Sequence, residues 1–328
     1  MQIEQLPWLE ASWRHLKGYL DNERIPHGLL ICGPKGVGKG PLARAFAQRL
    51  LCVASGEKAC GQCASCKLFL AATHPDFLLV APSEPGKALT VDGIRSLIGK
   101  LNLKGQYSKY RVVLVEPADA MNVSAANCLL KSLEEPGENT ILILVTNQPS
   151  GLPPTIVSRC QQLAVAVPGK LEAKRFLALK GIESGAAETL LNLANGAPLQ
   201  ALSLAEEDVL KRRLAFFADW IGLTNELATP VMVAEKWSSS PLEEVSIWLG
   251  SWIEDLIRLA MSAQDSAVRN FDLISELKPQ VRRLNLVETY RYLDQLNAVR
   301  GGAGTQLNKQ LLLEQWLIHW VRICQSQA

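Results

Sequence analysis

Two stretches of the 328-residue chain carry residue types whose spacing could do chemistry. The first is Gly33-Pro34-Lys35-Gly36-Val37-Gly38-Lys39-Gly40. A loop that cradles phosphate reads GxxxxGK[ST] between a strand and a helix. Its glycines let backbone N–H groups wrap the phosphate oxygens, its lysine reaches the terminal phosphates, and its hydroxyl holds Mg²⁺. Gly33, Gly36, Gly38 and Lys39 form the expected nucleotide-binding set, in degenerate form, because Gly40 has no hydroxyl. The second stretch is Cys52, Cys60, Cys63 and Cys66, with seven, two and two residues between them. Four thiolates on a loop-rich segment suit tetrahedral Zn²⁺ with every position filled, which is a structural rather than a catalytic site. Two disulfides or four free thiols are the competing readings. A disulfide framework suits small secreted chains, and this chain is neither short nor visibly secreted.

Two weaker signals accompany these. Nucleotide hydrolases of the phosphate-loop type end a neighbouring strand in adjacent acids, one organising the metal and one polarising water. Here the strand VVLV runs into Glu116-Pro117. Proline can neither act as a base nor hold a water, so hydrolysis has two independent defects, at positions 40 and 117. Further on, Ser158-Arg159-Cys160 follows a strand and a Pro153-Pro154 turn. An arginine so placed can face a neighbouring subunit's phosphates, although the tripeptide alone reads better as an exposed structural arginine.

The elements that must position these residues follow from hydrophobic periodicity. Helices are predicted over Ala11–Asn22, Pro41–Cys52, Val91–Leu101 and Ser124–Leu133, and strands over Gly28–Cys32, Phe77–Ala81, Arg111–Val115 and Ile141–Thr146. Runs of Val, Ile and Leu between helices indicate a parallel sheet buried on both faces, hence an α/β first half. No run of strong β character follows Pro168. Leu171–Gly181, Ala186–Asn195 and Pro198–Glu206 read as short helices, and longer amphipathic helices begin near residue 207. The expected domains are an α/β domain over 1–168 with a metal module inserted at 52–66, a small helical lid over 169–206, and a helical C-terminal domain over 207–328. Six of the eight tryptophans lie in that last domain. Most are expected in its core, and some could line an interface between subunits.

Composition bounds the rest. The net charge of +2 argues against a protein held to nucleic acid mainly by its own charge. Between Cys52 and Cys66 only Lys58 is basic, so a DNA-binding knuckle is disfavoured. No apolar run approaches the roughly 18 residues a membrane span needs, and no basic start with an apolar stretch marks a secretion signal. The expectation is a soluble cytoplasmic protein with no membrane partner.

Taken together, HGLLICGPKGVGKG, the four-cysteine insertion, THPDFLLVAP, AANCLLKSLEEP and LPPTIVSRC resemble the bacterial DNA polymerase III clamp-loader branch of the AAA+ ATPases. The resemblance covers most of the chain. It implies an AAA+ domain, a lid and a C-terminal collar within a ring of five subunits that loads the sliding clamp on primed-template DNA. The gamma and tau motor subunits of that family keep the hydroxyl and the Asp-Glu pair that are absent here, and carry a nucleotide-sensing arginine where this chain has Leu199. The departures imply a non-hydrolysing stator with weak or absent ATP binding, partnered by gamma/tau motors and a delta subunit. Such a subunit would belong to the DNA polymerase III holoenzyme without being an enzyme alone. The same resemblance implies that Arg159, within Ser158-Arg159-Cys160, acts in trans as an arginine finger on the adjacent motor's ATP. An ATP-hydrolysing motor of the gamma/tau type is the alternative.

Overall fold

The computed structural model describes residues 3–82, 84, 87–89, 91, 94, 107–225, 227–261, 268–298 and 308–325. The chain divides into two compact units, Met1–Phe176 with Gly196–Gln200, and Leu177–Asn195 with Ala201–Ala328.

The first unit is built on five parallel strands: β1 (Gly28–Cys32), β2 (Phe77–Val80), β3 (Arg111–Val115), β4 (Thr140–Thr146) and β5 (Gln161–Ala164), in the spatial order β2-β3-β4-β1-β5. Every residue of β1, β3 and β4 is buried. That is the expected fate of Val-, Ile- and Leu-rich strands covered on both faces. Gly28 pairs with Leu142, Leu29 with Gln161, and Arg111 with Thr140. Helix α1 (Glu10–Asp21) precedes the sheet, and α2 (Lys39–Leu51) packs on β1, β3 and β4. A short α3 (Ala64–Leu70) follows the cysteine segment. Against the face carrying Leu30, Val113, Leu142 and Leu144 pack Ala125, Ala126, Leu129 and Leu133 of α4 (Val123–Glu134), together with Ile156 of the one-turn helix α5 (Pro154–Val157).

Strand β5 is not among the predicted elements. Only Leu163 of its four residues is buried, so its sequence lacks the apolar run that marks the inner strands. The predicted helix Val91–Leu101 lies outside the described residues except at positions 91 and 94.

Among the described residues the second unit is helical. It holds α7 (Ser184–Leu193), α9 (Val209–Thr224), α10 (Pro230–Trp237), α11 (Leu242–Met261), α12 (Ile274–Val281), α13 (Leu286–Ala298) and α14 (Lys309–Gln325). Trp220, Trp237, Trp248, Trp252, Trp316 and Trp320 are all buried in its core. Trp220 stacks on Trp320 with centroids 4.5 Å apart, and Phe216 stacks on Trp237 at 4.6 Å. Unit boundaries fall inside α6 (Lys170–Leu179) and α8 (Pro198–Glu206). Residues 169–206, expected as a lid, are thus divided between the units. The physical reason is local: the Leu199 amide donates to the Gly36 carbonyl at 3.0 Å, which ties residues 196–200 to the glycine loop.

Candidate functional site

The glycine loop leaves the end of β1 and enters α2, where a phosphate loop must lie. Gly36 has φ +81°, a left-handed conformation that only glycine adopts cheaply, and a Cβ there would come within 2.5 Å of the Gln200 backbone nitrogen. Lys39 opens the helix and is 4% exposed. Its ammonium donates to the carbonyls of Gly33 and Pro34, both at 2.6 Å, and to Asn147 Oδ1 at 3.0 Å. An ammonium has three protons, so all of them are engaged by protein oxygens. Burial pushes Lys39 down to about 8, against the opposing pull of Asp119 and Glu116.

Gly40, where a phosphate loop has its metal-binding hydroxyl, also has a close neighbour. The Glu116 carboxylate presses on Gly40, in the space a Cβ at that position would take. It is held there by Arg44 of α2 at 2.9 Å. The nearest following acid, Asp119, accepts the Asn147 amide at 2.9 Å. The Trp8 indole donates to the Val37 carbonyl at 2.8 Å, and Leu6 and Leu9 pack where a Cβ on Gly38 would point. Sequence reasoning identified Gly33, Gly36, Gly38 and Lys39 but not Trp8, Arg44 or Asn147. Asn147 alone left a signal, as a polar residue at the end of the apolar run ILILVT.

Arg159 lies elsewhere. Its backbone carbonyl and the Cys160 sulfur adjoin Gly28, at the start of β1, whereas the glycine loop begins beyond the end of that strand. A five-residue strand spans about 16 Å, so the guanidinium and the loop occupy opposite ends of the sheet. Arg159 is half-exposed, paired with Glu134 at 2.7 Å and donating to the Thr155 carbonyl at 3.1 Å. The Ser158 hydroxyl caps the same carbonyl at 3.2 Å. Cys160 is buried, and burial pushes its thiol up to about 11. It packs in the hydrophobic core with Leu30, Leu133 and Ile156.

The four cysteines converge. Cys52 follows α2, Cys63 caps α3, and Cys66 lies in its first turn. Their sulfurs all fall within 4.8 Å of one another. Cys52 is 3.6 Å from Cys60 and 4.0 Å from Cys63, and Cys60 is 4.0 Å from Cys66. These separations exclude disulfides and match the roughly 3.8 Å edge of a tetrahedron with metal–sulfur bonds of about 2.3 Å. Amides of Cys60, Cys63 and Cys66 donate to the sulfurs of Cys52, Cys60 and Cys63 at 3.3–3.4 Å. The Cys66 amide brings the Cys63 thiol down to about 6, while burial drives Cys66 up to about 12. A tetrahedral cation such as zinc fits this donor set and would draw all four to thiolate. Lys58, the one basic residue of the segment, is paired with Glu4 at 3.0 Å.

A five-stranded parallel sheet in this order, with a glycine loop between the inner strand β1 and its helix and a helical C-terminal unit, defines an AAA+ protein, and the lysine of its glycine loop is engaged by the chain's own oxygens. The comparisons narrow the class. A family described as "DNA polymerase III, delta subunit" matches residues 8–168, and "DNA polymerase III, delta subunit, C terminal" matches residues 190–322. The chain is 36% identical to DNA polymerase III subunit delta' of Pseudomonas aeruginosa, covering 97% of each chain. It is 30% identical to that of Escherichia coli, over 95% of this chain and 94% of the other. Likeness to DNA polymerase III subunit tau of Bacillus subtilis is 31%, over 58% of this chain and 38% of tau. The chain belongs to the DNA polymerase III delta' family.

Proposed function

We propose that the chain is the non-hydrolysing stator of a DNA polymerase III clamp loader, and that Arg159 serves a neighbouring motor's ATP. The observation that carries this reading is the opposition along β1. At one end Lys39 and Gly40 are engaged by protein groups, and at the other a half-exposed arginine lies too far away to reach the chain's own loop. Its guanidinium can fork onto phosphate oxygens once released from Glu134, which a lysine ammonium cannot reproduce. The partners are gamma/tau motors and a delta subunit, with the sliding clamp and primed-template DNA engaged by the assembled cytoplasmic complex. In this reading residues 1–168 form the AAA+ domain, 169–206 the lid and 207–328 the collar. Zinc at Cys52, Cys60, Cys63 and Cys66 is structural, and ATP binding by the isolated chain is weak or absent.

The test is reconstitution. Fingers that act directly on the transferring phosphoryl are worth on the order of 10³–10⁵ in rate at their own site. Only one site of a multi-motor ring would use Arg159. Complexes containing Arg159→Ala or Arg159→Lys chains are therefore expected to assemble normally, with a partial loss of DNA-stimulated ATP hydrolysis and a larger loss of clamp loading. Wild-type rates in both would reduce Arg159 to a surface residue. Turnover by the isolated chain that disappears in Lys39→Ala would instead favour a motor of the gamma/tau type.

A further inference from the structure

A buried polar cluster that the phosphate loop and the arginine do not use lies between the cysteines and the sheet. It comprises Ser65, His74, Asp76 and Arg111, all less than a tenth exposed, with Ser108 at its edge. The geometry assigns the proton on the imidazole. The Asp76 amide can only donate, so His74 Nδ1, 3.0 Å away, accepts. Ser65 gives its single hydroxyl proton to the Leu51 carbonyl at 2.6 Å. Towards His74 Nε2, 2.9 Å away, Ser65 Oγ must therefore accept and Nε2 must donate. The ring is the neutral Nε2–H tautomer, held from both sides.

The partners of this ring bracket the metal site. Leu51 immediately precedes Cys52, and its carbonyl is one of those left open at the end of α2. Ser65 immediately precedes Cys66. One hydroxyl thus joins the two ends of the four-cysteine segment, and the Ser108 hydroxyl reinforces the Leu51 carbonyl at 3.1 Å. On the other side Asp76 leads into β2. Its carboxylate accepts the Tyr107 and Ser108 amides at 2.7 and 2.9 Å and faces Arg111 at 3.6 Å, at the entrance to β3. His74 is the only side chain bonded both to Ser65 and to the start of β2 among the described residues.

We propose that His74 is a positioning residue for the metal site: acting through Ser65, it fixes the spacing of Cys52 and Cys66 against the sheet edge and so slows metal loss. This rests on the reading that the four cysteines bind zinc. Partners outside the ligand shell typically change metal affinity by about 10–100-fold when removed.

The test uses the full-length zinc-loaded chain and an excess of a chromogenic chelator, with the release rate as readout. Ser65→Ala and His74→Asn should each release zinc roughly 10-fold faster or more, because the first removes the joint and the second keeps only the acceptor facing Asp76. His74→Gln places an amide donor near the Nε2 position and should recover most of the wild-type rate. Nitrogen-15 shifts of wild-type His74 should report a protonated Nε2 and an unprotonated Nδ1. Wild-type release rates in both Ser65→Ala and His74→Asn, or a protonated Nδ1, would overturn the proposal. Ser65→Ala decides alone should His74→Asn not fold. Elemental analysis that finds no zinc in the wild-type chain would remove the underlying reading instead, and the two failures are thereby told apart.

Discussion

The cysteine segment and the glycine loop are both built to surround a ligand, and they differ in where their donors point. At the cysteines, four sulfurs converge on a common centre, where they contact one another and accept from backbone amides. At the glycine loop the donors and acceptors close on each other: lysine on its own carbonyls, carboxylate on its own arginine. A motif therefore reports that a backbone can take a shape. Whether the shape is free for a ligand depends on partners far away in sequence.

The largest effect that would sharpen this contrast is at the cysteines. Cys66→Ser should lower zinc affinity by more than about 100-fold, the upper range for losing a mere supporting partner. Elemental analysis should fall from one equivalent towards none, with the sheet still folded by circular dichroism. An unchanged metal content would erase the difference between the two regions.

At the glycine loop the corresponding change should alter stability instead of binding. Lys39→Met leaves three oxygens without their donor and should destabilise the first unit by about 1–3 kcal/mol in denaturant unfolding, with no nucleotide affinity lost. Its pH dependence has a definite sign. Folding lowers the Lys39 pKa from 10.5 to about 8, so between those values the unfolded chain holds the extra proton. The lysine's contribution to stability then rises with pH across that window, by at most roughly 1.4 kcal/mol per unit, and is flat below it. Unfolding of wild type and Lys39→Met from pH 7 to 10 should show the wild type gaining on the variant. If Lys39→Met instead abolishes measurable ATP binding, the loop belongs with the cysteines as a ligand site.

The smallest effect is expected at Gly40. A threonine there meets the flexible end of Glu116, which can swing out at the loss of a half-exposed ion pair worth up to about 1 kcal/mol. Gly40→Thr should fold, lose little stability and gain no hydrolysis, since Pro117 still cannot hold a water.

The inner sheet was legible because strands covered on both faces have to be apolar throughout. Gly28–Cys32 and Arg111–Val115 are found at their predicted bounds, and the strand predicted from Ile141 begins one residue earlier. β5, with one buried side chain, leaves no such trace. The cysteine cluster was legible because its spacing is local. The pairing of Lys39 with Asn147 spans 108 residues and that of Arg44 with Glu116 spans 72. Neither leaves a periodicity, so these two pairings have no counterpart in the sequence beyond the missing hydroxyl at position 40 and the missing acid at position 117. Likewise, the separation of Arg159 from the loop follows from the register of β1 with β5, which no local pattern encodes.

The stacked aromatics of the second unit have an optical consequence. Trp220 and Trp320 are 4.5 Å apart with ring planes 23° from parallel, and Trp252 lies 5.3 Å from Trp220. Indoles this close couple their electronic transitions, so the near-ultraviolet dichroism should carry a paired signal from this cluster. The first unit holds only Trp8 and Trp13. Intrinsic fluorescence will therefore follow mainly the melting of the helical unit, and metal loss at the cysteines will be seen best through an energy-acceptor label in the groove that Trp13 lines with Cys60 and Phe69, which reports on the indoles nearest to it.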